Sequence, residues 1–95
     1  MPIAVEFVFD GATLEQYDQI MEKMGLTNGG PTPPGALFHW AAMTDKGLHV
    51  VDVWDSREEF DKFAQEKIGP ISAEVGAPAP SLTFYDVHAY VTRGS

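Results

Sequence analysis

His39 and Asp52 are the residues on which acid–base chemistry in this chain would rest. They stand in HWAAMTDKGLHVVDVWDS, residues 39–56, where apolar and β-branched positions flank the turn Thr44-Asp45-Lys46-Gly47. An imidazole held by a carboxylate is the usual general base near neutral pH, so the two are the candidate catalytic pair. Their meeting depends on hairpin register. A symmetric three-residue loop would set Trp40 opposite Asp52, whereas a turn shifted by one residue would set His39 there, and a one-residue slip turns a whole face over. The same pair could instead be a buried hydrogen bond that fixes register and catalyses nothing. Trp54 lies two residues after Asp52 and so projects from the same face of the strand. With Trp40 it could stack on an aromatic ligand or serve as core or interface. Tyr17 could point its hydroxyl into a pocket between helix and sheet. Asp86 and His88 share a face of the last strand with Phe84 and Tyr90, where they could line the same cavity or belong to an outer strand in a dimer interface.

Other chemistries find no support. The chain has no cysteine, which excludes disulfides, thiolate nucleophiles and Cys-type metal centres. No two histidines share metal-ligand spacing, so no metal is expected. No nucleophile elbow surrounds a serine. Fourteen acidic against six basic residues give a net charge of −8, and no Lys/Arg cluster offsets it. Nucleic acid is therefore an unsuitable partner, since such a surface repels phosphates. No apolar run approaches the ~20 residues of a membrane span. The N-terminal MPIAVEF lacks a basic stretch followed by an apolar one, and the expected location is cytoplasmic.

The elements that must position these residues follow from periodicity. Ile3, Val5, Phe7 and Phe9 alternate as one apolar face of a strand. Thr13 and Gln16 form a capping-box pattern before a helix whose stripe is Leu14, Tyr17, Ile20, Met21 and Met24, closed by Gly25. Met21 and Met24 read as core. Residues 26–35, LTNGGPTPPG, preclude regular structure and form a connector or a lid. Residues 36–44 and 48–55 make the hairpin. Ser56 and Glu59 give a second capping-box pattern, and Phe60, Phe63, Ala64 and Ile68 mark the inner side of the helix after it. Gly69-Pro70 must kink or break that helix. A short turn from Ile71 to Val75 and a last strand from Leu82 to Val91 complete the chain.

This order, β-α-β-β-α-β, predicts one α+β domain over residues 1–95: a ferredoxin-like antiparallel sheet ordered 4-1-3-2 with both helices on one face. The strands carry large apolar groups on both faces, and helices cover only one. A homodimer through the open face is expected, all the more because a core this small is thin.

Val51-Asp52-Val53-Trp54-Asp55-Ser56, followed by Glu59-Phe60 and Phe63, resembles the third strand and capped second helix of the dimeric α+β barrels, in their antibiotic-biosynthesis-monooxygenase-like branch. Ile68-Gly69-Pro70-Ile71 is similar to that branch's broken second helix. The resemblance covers the whole chain in element order. It implies a dimeric barrel and, among activities of related barrels, cofactor-free oxygenation of aromatic polyketides, cyclisation or isomerisation. It also implies an aromatic pair at the substrate, here Trp54 and Tyr85. The Asn, Trp and His set of the haem-degrading members has no counterpart, and the only arginines, Arg57 and Arg93, stand at element ends rather than in a strand. The expectation is a cofactor-independent monooxygenase or cyclase/isomerase that binds a small hydrophobic, aromatic molecule. The alternative is a non-catalytic binding or structural dimer of the same fold. An open pocket faced by a polar pair would favour the first; a filled apolar interior would favour the second.

Overall fold

The computed structural model describes residues 1–92; Arg93 lies outside the described residues. Strands β1 (Ile3–Phe9), β2 (Ala36–Thr44), β3 (Gly47–Trp54) and β4 (Ser81–Asp86) form one antiparallel sheet in the order β2-β3-β1-β4, the ferredoxin-like arrangement expected. Helix α1 (Leu14–Met24) follows β1. Helix α2 (Arg57–Phe63) follows β3 and continues through a π-helical turn (Ala64–Ile68) into α3 (Gly69–Glu74).

The core forms where β1 and β3 meet the second helical segment. Ile3, Val5, Phe7 and Phe9 are all buried, as are Leu48, Val50 and Trp54 on β3. Strand pairing sets Val5 opposite Asp52 and Phe7 opposite Val50, so the two inward rows are one continuous surface. Phe60 seals it by edge-on contacts with Phe7, Trp54 and Phe84. Aromatic pairs in this geometry add about 0.5–1.5 kcal/mol each beyond their buried area.

The capping signals act where they were read, with one difference. Thr13 and Gln16 form both bonds of a capping box, and Gly25, at φ 75°, takes the left-handed C-cap of α1. Ser56 accepts from the Glu59 amide, the N-cap half of the box. The Glu59 side chain instead extends along Gly35, whose added Cβ would overlap the carboxylate.

Pro70 does not break the second helical segment. It has no N–H to donate four residues back, and the chain widens so that Gly69 N–H reaches the Ala64 carbonyl five residues back. β4 is shorter than Leu82–Val91. Ile3 pairs with Asp86 and Pro2 accepts from the Val87 amide, so β1 has no strand left to offer beyond that point.

The hairpin register is fixed at its turn. Thr44 pairs with Gly47 across Asp45-Lys46, and the positive φ falls on Gly47, at 115°, not on the two turn residues. A Cβ on Gly47 would stand 2.5 Å from the Phe9 carbonyl oxygen. Gly47→Ala should therefore lower stability by about 1–3 kcal/mol, measured by chemical denaturation. An unchanged midpoint would mean that the turn relaxes freely.

The sheet face away from the helices stays open in the single chain. Phe38, Trp40 and Tyr85 are 50%, 42% and 51% exposed there. Among them Glu6 Oε2 lies 3.2 Å from His49 Nε2, with Trp40 stacked on the imidazole.

Candidate functional site

The walls of the site are an unfilled part of the fold. Every residue of α1 is at least partly exposed, although its stripe is apolar. Its inner side stands off the sheet across an open cavity of about 990 Å³, between Ile20, Met21 and Met24 on the helix and Phe7, Phe9 and Val50 on the strands. Met21 and Met24, read above as core, are cavity wall. Residues 26–33 run along the cavity, and Phe63, Ile68 and Ser72 close its other side.

Register places the polar groups. The hairpin pairs His39 with Asp52, the turn-shifted alternative. Unbroken pairing from Thr44 opposite Gly47 back to Phe38 opposite Val53 puts His39 on the inner face and Trp40 on the outer, and an irregularity follows only beyond it, between Ala36 and Phe38. His39 Nδ1 lies 2.5 Å from Asp52 Oδ1, and the Tyr17 hydroxyl lies 2.6 Å from His39 Nε2, with the two rings parallel to within 3°. Trp54 Nε1–H donates to the second carboxylate oxygen at 3.2 Å. The result is a chain of hydrogen bonds, Tyr17–His39–Asp52–Trp54, running from the cavity into the core.

A carboxylate only accepts, so Asp52 accepts hydrogen bonds from His39 Nδ1–H and Trp54 Nε1–H. That assigns the neutral imidazole its Nδ1–H tautomer. Nε2 is left as the acceptor, and Tyr17 O–H donates to it. The Asp52 side chain is 8% exposed and that of His39 28%, so Asp52 reaches the cavity wall as a nearly buried group beside the more open imidazole. Burial raises the Tyr17 hydroxyl above its ordinary value near 10, and the charges of Asp52 and then Asp18 push it the same way. Tyr17 is therefore a phenol at physiological pH.

The structure thus brings Tyr17, His39, Asp52 and Trp54 together. Trp40 projects from the opposite face and reaches only the cavity's edge. Tyr85 also faces outward, near Arg57 and Phe84. His88 lies beyond β4 and is exposed, away from the cavity, because the strand stops at Asp86. The direct Tyr17–His39 bond was not legible from helical spacing, whereas the Trp54–Asp52 bond has a signal in their two-residue separation. Ser72 was also missed. Its hydroxyl is buried at the cavity wall with no hydrogen-bond partner among the described residues, and nothing local in the sequence marks it. Among the described residues, no group of three or more His, Asp or Glu side chains could hold a metal ion. Nor, among the described residues, is any helix long and apolar enough to cross a membrane.

No protein-family model and no curated protein matches the sequence. Solved structures do match its fold. A Chloroflexus aurantiacus protein assigned to the antibiotic biosynthesis monooxygenases aligns at a TM-score of 0.67 with 17% identity, over 99% of this chain and 100% of that one. SnoaB, a cofactor-independent oxygenase from Streptomyces nogalater, aligns at 0.56 with 12% identity, over 99% and 96%. A variant of MhuD, solved with two manganese protoporphyrin IX molecules per active site, aligns at 0.54 with 18% identity, over 97% and 99%. At these identities the likeness is one of fold. The chain has the ferredoxin-like α+β fold of the antibiotic-biosynthesis-monooxygenase-like proteins.

Proposed function

We propose that the protein is a cofactor-independent enzyme, a monooxygenase or a cyclase/isomerase, acting on a hydrophobic aromatic small molecule through the Tyr17–His39–Asp52 chain. The observation that carries this reading is a base at the wall of an open apolar cavity. A filled interior would have argued for architecture alone. A substrate O–H or acidic C–H positioned at Tyr17 gives up its proton to the phenol oxygen as the Tyr17 proton passes to His39 Nε2. The imidazolium so formed is stabilised by Asp52, whose second oxygen is held by Trp54. The substrate is left as an electron-rich enolate or phenolate. In the oxygenase form this carbanion reduces dioxygen; one oxygen atom enters the ring carbon, the other leaves as water, and the substrate supplies the electrons. SnoaB, described as a cofactor-independent oxygenase on the same fold, supports that form. The test is dioxygen uptake with anthrone, which should yield anthraquinone and water at a rate above the protein-free reaction. No acceleration with anthrone or with other enolisable aromatics would leave the second reading, a non-catalytic binding dimer. One observation favours that reading: both ring nitrogens of His39 already have partners within the chain.

We also infer a homodimer that covers the open sheet face, where Phe38, Trp40 and Tyr85 stand exposed around Glu6 and His49. An apolar sheet face of this kind normally needs a cover. Sedimentation at micromolar concentration should give about twice the 10.4 kDa chain mass. A monomer at all concentrations would contradict it.

A further inference from the structure

The charges lining the cavity are all of one sign. Asp18 and Glu22 come from α1 and Asp52 from β3, with His39 from β2 as the one group able to become positive; no Lys or Arg lines it among the described residues. Lys23 and Arg57 are engaged elsewhere. Lys23 pairs with Glu74 on α3, and Arg57 lies 3.6 Å over the Phe84 ring while pairing with Asp61. The remaining polar lining groups are neutral, among them Gln16, Thr27, Asn28 and Ser72.

We infer that the cavity selects ligands that are uncharged on entry and excludes pre-formed anions such as aromatic carboxylates. The inference rests on reading the cavity as a ligand site, and it adds the charge class of what enters. A carboxylate in this space would meet a buried like charge at Asp52 with no fixed cation to offset it. Asp18 and Glu22 are exposed, so solvent screens them and their share is smaller. The neutral phenol at Tyr17 responds to the same field, since Asp52 and Asp18 both disfavour its anion. An anion is tolerated here in one circumstance, when it arises inside by giving its proton to the Tyr17–His39 pair, because the compensating positive charge then forms beside it. Specificity and mechanism share one cause: the site makes its own anion and refuses those made elsewhere.

The experiment is calorimetric titration of the full chain at pH 7 with 2-naphthamide and 2-naphthoate, near-isosteric ligands that differ by one charge. The amide should bind at least about tenfold tighter, the ratio set by roughly 1.4 kcal/mol of like-charge repulsion. Equal affinity, or tighter binding of the carboxylate, would overturn the charge inference while leaving the proton-transfer reading standing. Binding of neither overturns it too, because the cavity would then not be a seat for neutral bicyclic aromatics. Preference for the amide without acceleration of anthrone oxidation would retain the charge inference and sink the enzymatic one.

Discussion

His39→Gln and Asp52→Asn should each lower turnover by about 10²–10⁴-fold, the usual contribution of a positioned general base. Glutamine can still meet Tyr17 but cannot take up a proton. Asparagine can keep one bond to the imidazole, but it supplies no negative charge and its amide permits the wrong tautomer. The structural alternative predicts a different loss. If the pair only fixes register, each substitution leaves a buried partner short and costs roughly 1–3 kcal/mol of stability without touching turnover. Denaturation curves and activity assays on the same variants separate the two. Wild-type turnover with reduced stability would make the pair architectural.

Trp54→Ala should be the most damaging single change to the fold. Trp54 is 1% exposed, lies 5.1 Å from the Phe63 ring centroid and donates to Asp52. Truncating so large a buried side chain costs about 3–5 kcal/mol, a large fraction of the roughly 5–15 kcal/mol available to a domain. Trp54→Phe keeps most of the volume and removes the N–H. It should cost less stability yet still reduce turnover, because Asp52 loses the donor that fixes its second oxygen. Circular dichroism melts on the two variants check this; equal stability of both with wild type would mean that the core repacks around the site.

Much of this was legible from residue types and spacing, and the reasons divide by distance along the chain. Strand faces and helix caps are set by neighbours within four residues, which is why Ile3 to Phe9, Thr13 and Ser56 could be read directly. The hairpin left two registers open, because the side-chain period cannot say where a turn begins. The turn settles it with a positive φ at Gly47, where a Cβ would collide with the Phe9 backbone, a neighbour remote in sequence. The end of β4 depended on where β1 begins, and so His88 was expected on a strand that does not extend to it. The π-helical turn was half visible: Pro70 announced an irregularity but not that the chain would widen and continue. The cavity was the hardest to foresee. Met21 and Met24 have the same periodicity whether a helix touches the sheet or stands away from it, and only tertiary spacing distinguishes wall from core.

The central claim is that His39 receives a proton from a ligand seated in this cavity. Nitrogen NMR of ¹⁵N-histidine-labelled protein, titrated with 2-naphthol at constant pH, tests it most directly. Ligand binding should move the His39 Nε2 signal from that of an unprotonated ring nitrogen toward that of an imidazolium, while His49 and His88 stay unchanged. Saturation of the protein by 2-naphthol with the His39 signals unmoved would contradict the account.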